Sequence, residues 1–314
     1  MESLAVTVVR KTLEAEGIAS FELARADGAP LPPFSAGSHV DVQVPGGLTR
    51  QYSLCNDSLE QHRYRIAVLR DRASRGGSVA MHDAVREGDL LHISEPRNHF
   101  PLQHAARSLL FAGGIGVTPL LCMAQRLAAI AADFELHYCT RSPGRTAFAQ
   151  EITASAFAGR VHFHFDDGPP GQKLQVDPLL ATPEPGAHLY VCGPAGFIAH
   201  VVGSAKARGW PAEQIHLEYF AAAPQDNSGD QAFEVKLAST GKSYPVAAGQ
   251  SVVQSLREHG IEIMTSCEQG VCGTCITRVL DHRDMYFTEE ERALNDQFTP
   301  CCSRSRSASL VLDL

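Results

Sequence analysis

The chain has 314 residues, a formal net charge of −8, and 44% hydrophobic against 20% charged residues. That length predicts two or three globular domains, and the lack of any basic run excludes nucleic acid as the partner. No apolar run approaches the ~20 residues that cross a bilayer, and "MESLAVTVVRKTLEAEG" meets charge too early for a secretory signal, so a soluble cytoplasmic protein is expected.

Residues 1–103 read as β-rich. "LAVTVVRKTL", "GSHVDVQVP", "RQYSLCN", "RYRIAVLRD" and "DLLHISEP" are short runs with β-branched residues, bounded by turn formers. A helical stretch, "GGSVAMHDAVREG", interrupts them. Strands at this spacing predict a small antiparallel barrel or sandwich. Residues 104–224 alternate instead. Strands in "SLLFAGGIG", "FELHYCTR", "RVHFHFDD" and "AHLYVCGP" are separated by helical "VTPLLCMAQRLAAIA" and "TAFAQEITASA" and followed by "AGFIAHVVGSAKARGW". That order predicts an α/β domain with a parallel sheet. "AAAPQDNSGDQ", residues 221–231, has linker composition, and residues 225–314 form a third region. It opens with a hairpin in "AFEVKLASTGKSYPVAAG" and a helix in "SVVQSLREHG", capped by Ser251 and stopped by Gly260.

Five of the nine cysteines crowd the last fifth of the chain. In a reducing compartment such a cluster points to metal ligation rather than to disulfides. "SCEQGVCGTC" gives Cys267-x4-Cys272-x2-Cys275, which with a distant fourth cysteine is the plant-type [2Fe–2S] spacing. Two bridged tetrahedral irons need four converging thiolates, and Gly270 and Gly273 let a tight loop supply three of them. Zinc sites use paired C-x2-C knuckles, and only one such pair occurs here.

Other stretches carry weaker signals. In "RQYSL", Arg50 and Tyr52 alternate with Gln51 and Ser53, which alone is an ordinary strand pattern. "RGGS" places Gly76, Gly77 and Ser78 at a helix start, where free N–H groups suit a phosphate. "AGGIGVTP", residues 112–119, is a Gly-rich strand-to-helix turn without the G-x-G-x-x-G fingerprint. "YVCGP", residues 190–194, ends a second strand of that domain, and open sheets bind ligands at such strand ends. In "CTRSPGRTAF" two arginines and no acid lean toward a 2′-phosphate, as in NADPH. His162 and His164 share one strand face, read as solvated because no third ligand is close in sequence.

"SCEQGVCGTC", "DHRDM" and "CCSRSRSASLVLDL" together resemble the C-terminal ferredoxin domain of the phthalate dioxygenase reductase and vanillate O-demethylase reductase family. The resemblance extends over the whole chain, in the order flavin barrel, nicotinamide domain and β-grasp ferredoxin domain. It implies a multidomain reductase that passes electrons from NADH through FMN and a [2Fe–2S] cluster to a separate Rieske-type oxygenase or O-demethylase. An alternative is a stand-alone flavin reductase or an iron–sulfur carrier with another acceptor. It also implies a monomer. For the flavin it implies Arg50 on the phosphate, Tyr52 packed on the ring, and Ser53 near N5. Ala67, Val68 and Leu69 would line the ring edge, with Gly76, Gly77 and Ser78 at the phosphate and Thr118 and Phe220 beside the flavin. For the nicotinamide nucleotide it implies Gly113, Gly114, Arg141, Cys192, Gly193 and Pro194, with Cys192 near C4. Ser53 and Cys192 are the catalytic candidates, and NADH is favoured over NADPH. The family's last cluster ligand directly precedes "x-S-R", which is Cys301, alongside Cys267, Cys272 and Cys275. In an extended segment Cys302 would then face away. One departure is a missing Gly-containing turn before "DHRD", which implies a shortened hairpin there.

Overall fold

The computed structural model describes residues 3–71, 76–220, 230–265, 270, 274–281, 297–305 and 307–314. It begins with strands β1 (Ser3–Ala15), β2 (Ile18–Ala24), β3 (Ser38–Val44), β4 (Leu48–Ser53) and β5 (Tyr64–Leu69). Helix α1 (Gly77–Asp83) and strands β6 (Leu90–Ser94) and β7 (Arg97–Asn98) follow. The sheet order is β4-β3-β6-β1-β2-β5, with β7 on β3 and every pairing antiparallel. A bridge between Leu54 and Ile66 joins the two ends of that order, which makes the sheet a barrel. Strand β2 is the one the sequence does not announce. Its burial runs nearly continuously from Ile18 to Leu23, so it lacks the alternation that marks a half-buried strand.

The chain then alternates: β8 (Arg107–Gly113), α2 (Val117–Ala129), β9 (Phe134–Thr140), α3 (Ala149–Ala154), β10 (Val161–Phe165), α4 (Val176–Leu179), β11 (Ala187–Cys192), α5 (Ala195–Ala207) and β12 (Ile215–Glu218). These strands form an all-parallel sheet in the order β10-β9-β8-β11-β12. Helix α2 buries Val117, Leu120, Leu121, Met123 and Leu127 against one face, each large side chain worth roughly 1.5–3 kcal/mol. Ile198, Val201 and Ala205 of α5 pack on the other face, over Leu109, Phe111, Leu189 and Val191. The α2 core also takes in Ile18, Cys55, Ala67 and Phe100, so one apolar interior is shared by barrel and parallel sheet.

Residues Met1–Phe220 form one compact unit and Ala221–Leu314 a second. The second holds β13 (Phe233–Leu237), β14 (Ser243–Val246), α6 (Val252–Glu258), β15 (Thr277–Asp281), β16 (Gln297–Phe298) and β17 (Ser309–Leu312). Their order is β14-β13-β17-β15-β16, with β13 and β17 parallel. Helix α6 starts in a full capping box between Ser251 and Gln254 and ends before Gly260 at φ 75°. The departure from the family pattern falls at β15, whose pairing with β17 shifts register between Val279 and Asp281. Residues 282–296, which include "DHRDM" after Asp281, lie outside the described residues.

Candidate active site and cluster loop

Strand β4 presents two faces. Arg50 and Tyr52 lie on one, and Tyr52 packs against the barrel core. The Arg50 side chain crosses Gly77 at the start of α1. A Cβ on Gly77 would stand 2.7 Å from both Cγ and Nε of Arg50, so glycine is what lets the guanidinium lie flat there. Gly76 adopts φ 100°, and the Ser78 hydroxyl accepts from the Asp71 amide at 3.2 Å. The sequence-predicted Arg50, Gly76, Gly77 and Ser78 are thus gathered in one place. Along β5, Ala67 and Val68 are buried while Leu69 is exposed. The Val68 carbonyl accepts from His82 Nε2 at 2.8 Å, if that nitrogen carries the proton.

Gln51 and Ser53 occupy the opposite face of β4. The Ser53 hydroxyl donates to Glu218 Oε2 at 3.4 Å, which joins the barrel to the end of the parallel sheet. Glu218 is level with Cys192 in the parallel ladder of β11 and β12. Three side chains from three strands therefore converge: Ser53, Cys192 and Glu218. Burial pushes the Glu218 carboxyl up to about 7, against the opposing effect of the Ser53 hydroxyl. Burial, then the neighbouring Glu218 carboxylate, drives the Cys192 thiol well above its usual range, so it is no thiolate nucleophile. Glu218 is the residue sequence reasoning misses. It sits in "HLEYF" as one acid among ordinary strand residues, and only the ladder sets it beside Cys192.

The two glycine turns meet backbone to backbone. A Cβ on Gly116 would lie 2.2 Å from the Cys192 carbonyl oxygen, and one on Gly193 would lie 2.9 Å from Gly113 Cα. Gly113, Gly114 (φ 56°), Cys192, Gly193 and Pro194 are brought to the carboxyl ends of adjacent strands β8 and β11. Thr118 is buried in the first turn of α2, with its hydroxyl donating to the Ile115 carbonyl at 3.0 Å. Phe220, two residues past Glu218, is 37% exposed.

At the end of β9, Arg141 is exposed. Arg145 is committed to Glu16 at 2.6 Å. The amides of Asp166 and Asp167 donate to the carbonyls of Thr140 and Arg141, each at 3.0 Å. Two acids that are remote in sequence therefore flank this loop, and one of its two arginines is already paired. The lean toward a 2′-phosphate drawn from the loop alone therefore rests on Arg141, because Arg145 is already paired. The face of His162 and His164 is likewise not simply solvated, because both rings stack on buried His137, at 4.9 and 5.4 Å between centroids.

In the second unit Cys275 and Cys301 are buried together with Val253, and Ile263 and Cys302 pack around them. None of the described cysteines is in a disulfide. Hydrogen bonding with Cys275 first, then with Cys302, raises the Cys301 thiol, because those bonds hold its proton in place. A cation that takes both sulfurs as thiolates removes that penalty, so this donor pair fits an iron site. Cys267 and Cys272 lie outside the described residues. The expectation that Cys302 faces away needs correction. The segment is a turn, in which the Thr299 carbonyl accepts from the amides of both Cys302 and Ser303, at 3.0 and 2.8 Å. Side chains do not alternate in a turn, so Cys302 packs on the same cluster, with its thiol directed at Thr299 Oγ1 at 3.5 Å.

The 2Fe-2S iron-sulfur cluster binding domain family matches residues 235–306. The chain is 58% identical to the vanillate O-demethylase oxidoreductase of Pseudomonas putida, over 98% of each chain. It is 41% identical to the phthalate dioxygenase reductase of Burkholderia cepacia, over 99% of this chain and 97% of that one. Among solved structures it resembles phthalate dioxygenase reductase, characterised as a modular structure for electron transfer from pyridine nucleotides to [2Fe-2S]. The TM-score is 0.81 at 39% identity, covering 99% of this chain and 98% of that one.

Proposed function

The chain belongs to the family of phthalate dioxygenase reductase and vanillate O-demethylase reductase, and from that premise we propose the following division of labour. The protein is an oxidoreductase that takes electrons from NADH through FMN and a [2Fe–2S] cluster to an oxygenase component. Residues 1–103, 104–224 and 225–314 serve as the flavin, nicotinamide and cluster domains. The partner is a Rieske-type oxygenase, and the 58% identity to a vanillate O-demethylase oxidoreductase favours one acting on methoxy-aromatic acids. The reductase itself acts as a monomer. No described helix is long and apolar enough to cross a membrane.

The observation that carries this reading is the meeting of Ser53, Cys192 and Glu218 where barrel and parallel sheet adjoin. Arg50, Gly76, Gly77 and Ser78 would hold the flavin phosphate. Tyr52, Ala67, Val68, Leu69, Thr118 and Phe220 would surround its ring. Gly113, Gly114, Arg141, Gly193 and Pro194 would hold the dinucleotide, and Cys267, Cys272, Cys275 and Cys301 the cluster. FMN supplies the exchange between a two-electron hydride donor and a one-electron acceptor. The chain's own residues position and insulate. Cys192, neutral and buried, closes the strand end without adding charge. The Ser53 hydroxyl, oriented by Glu218, is a fixed hydrogen-bonding group at the reacting face. Glu218, titrating near neutrality, can hold or release a proton there.

An absorbance spectrum of the purified protein tests the reading. Flavin bands with added iron–sulfur absorbance, both bleached by NADH, are expected. Flavin bands without iron–sulfur absorbance would overturn it.

A further inference from the structure

Next to the Ser53–Glu218 pair lies a second polar group that the reading above does not use. His39 of β3 stands directly opposite Ser53 of β4 in the antiparallel ladder, which places the two Cβ atoms about 4.5–5.5 Å apart on one face. On its other side His39 is opposite Arg97 of β7. Its ring is 1% exposed, yet neither Nδ1 nor Nε2 has a hydrogen-bond partner among the described residues. Gln51 Nε2 and Arg97 Nε are also buried and unpartnered, and Gln51 and Arg97 lie on this same sheet face. Four unsatisfied nitrogens in one buried strip are costly unless ordered water pairs with them, since buried polar groups are nearly always bonded.

The strip has an outlet. The His39 ring stacks on His99, with centroids 5.3 Å apart and planes 29° apart, and His99 is exposed to solvent. The groups lie in the order Glu218, Ser53, His39, His99, with Ser53 and His39 buried between half-buried Glu218 and exposed His99. The charged groups facing His39 are Asp41 on its own strand, Arg97 on β7, His99 beyond it, and Glu218 across Ser53. Arg97 and Asp41 are paired with each other, so they do not neutralise the imidazole. Burial, then the Arg97 cation, pushes His39 down to about 4, which keeps it neutral at physiological pH. A neutral imidazole accepts at one nitrogen and donates at the other, as a proton relay requires.

The reaction releases a proton that such a relay can carry. Oxidation of NADH by a one-electron acceptor gives NAD⁺, two electrons and one proton. The electrons leave one at a time to the cluster, and the proton leaves from beside buried Ser53 and Cys192. We propose that His39, bridged by water to the Ser53–Glu218 pair, conducts that proton to His99 and solvent. His39 thus acts as a relay that receives its proton from the Ser53–Glu218 pair. The inference rests on the proposed site for NADH oxidation. If that site is wrongly placed, wild-type protein is not bleached by NADH at all, which is a different failure from the ones below.

The test uses holoenzyme carrying His39→Gln or His39→Ala. Anaerobic bleaching by NADH reports hydride transfer, and a pH-indicator dye in weak buffer reports proton release during turnover with ferricyanide. Expected are bleaching rates within about twofold of wild type, proton release and turnover slowed roughly tenfold, and recovery of the alanine variant by added imidazole. Ring-nitrogen NMR of the resting protein gives a readout independent of turnover, with the His39 N–H expected to exchange with water. Unchanged proton release in His39→Gln, slowing confined to bleaching, or a protected His39 N–H would each overturn the proposal. If the His39 variants fail to fold, His99→Gln at the exposed end carries the test. Slowed release with intact bleaching supports the relay, and unaltered release refutes it.

Discussion

Glu218 takes its titration behaviour from its surroundings. Its carboxyl lies at about 7 in the folded protein against 4.5 in the unfolded chain, because burial disfavours the charge. A raised carboxyl pKa means that the folded state binds its proton more tightly. The resulting stabilisation is complete below the unfolded pKa and is lost as pH rises through the folded one. Wild type should therefore lose stability relative to Glu218→Gln between pH 5 and pH 8, by at most about 3 kcal/mol. Thermal melts of both proteins across that range measure it, and a gap that is flat or of opposite sign rejects the assignment. Gly77 makes a second case. An alanine there intrudes on the movable Arg50 side chain rather than on backbone, so the fold should persist while the guanidinium is displaced. Gly77→Ala is expected to purify with a near-normal melting temperature and a reduced flavin-to-protein ratio. Full flavin occupancy would show that Arg50 does not need that position.

The elements explain what the sequence reveals and what it conceals. The Arg-x-Tyr-Ser strand, the glycine turns and the cysteine spacing are legible because each is a local pattern of a few residues. Glu218 and His39 are not legible, because their meaning lies in ladder partners, Cys192 and Ser53, that only the folded sheets supply. The orientation of Cys302 is concealed for a related reason, since two adjacent residues read alike in a strand and a turn, and Thr299 decides between them. Cys301→Ser is expected to abolish cluster absorbance, whereas Cys302→Ser should retain it; the reverse result would exchange their roles. The turn is anchored by Arg304, 6% exposed, which bonds the carbonyls of Gln231, Ala247 and Gln250 and pairs with Asp230 at 2.9 Å. Replacing it by Gln leaves Asp230 buried without its cation, a loss of about 3–5 kcal/mol. Calorimetry should then show a lowered transition for the second unit and an unmoved one for the first. A uniform shift of both would mean that Arg304 does not act locally.

At the scale of the molecule, the proposed assignment divides two kinds of electron chemistry between the two compact units. Every residue proposed for hydride transfer lies before Ala221, and every cluster thiol lies after it. The first unit also has a continuous core of its own, joining α2 to barrel residues such as Ile18 and Phe100. It should therefore fold and react without the second. A chain ended after Phe220 is expected to bind flavin, to be bleached by NADH at close to the full-length rate, and to pass electrons to ferricyanide. It should fail to reduce the oxygenase component, because it lacks the one-electron carrier. Stopped-flow bleaching and NADH consumption with the oxygenase separate the two steps. If the truncated chain still drives the oxygenase, the flavin itself is the donor, and the cysteine cluster has another role. If it cannot be bleached by NADH although it is folded and carries flavin, the site for hydride transfer depends on the second unit, and the assignment of Ser53, Cys192 and Glu218 as a self-sufficient centre fails.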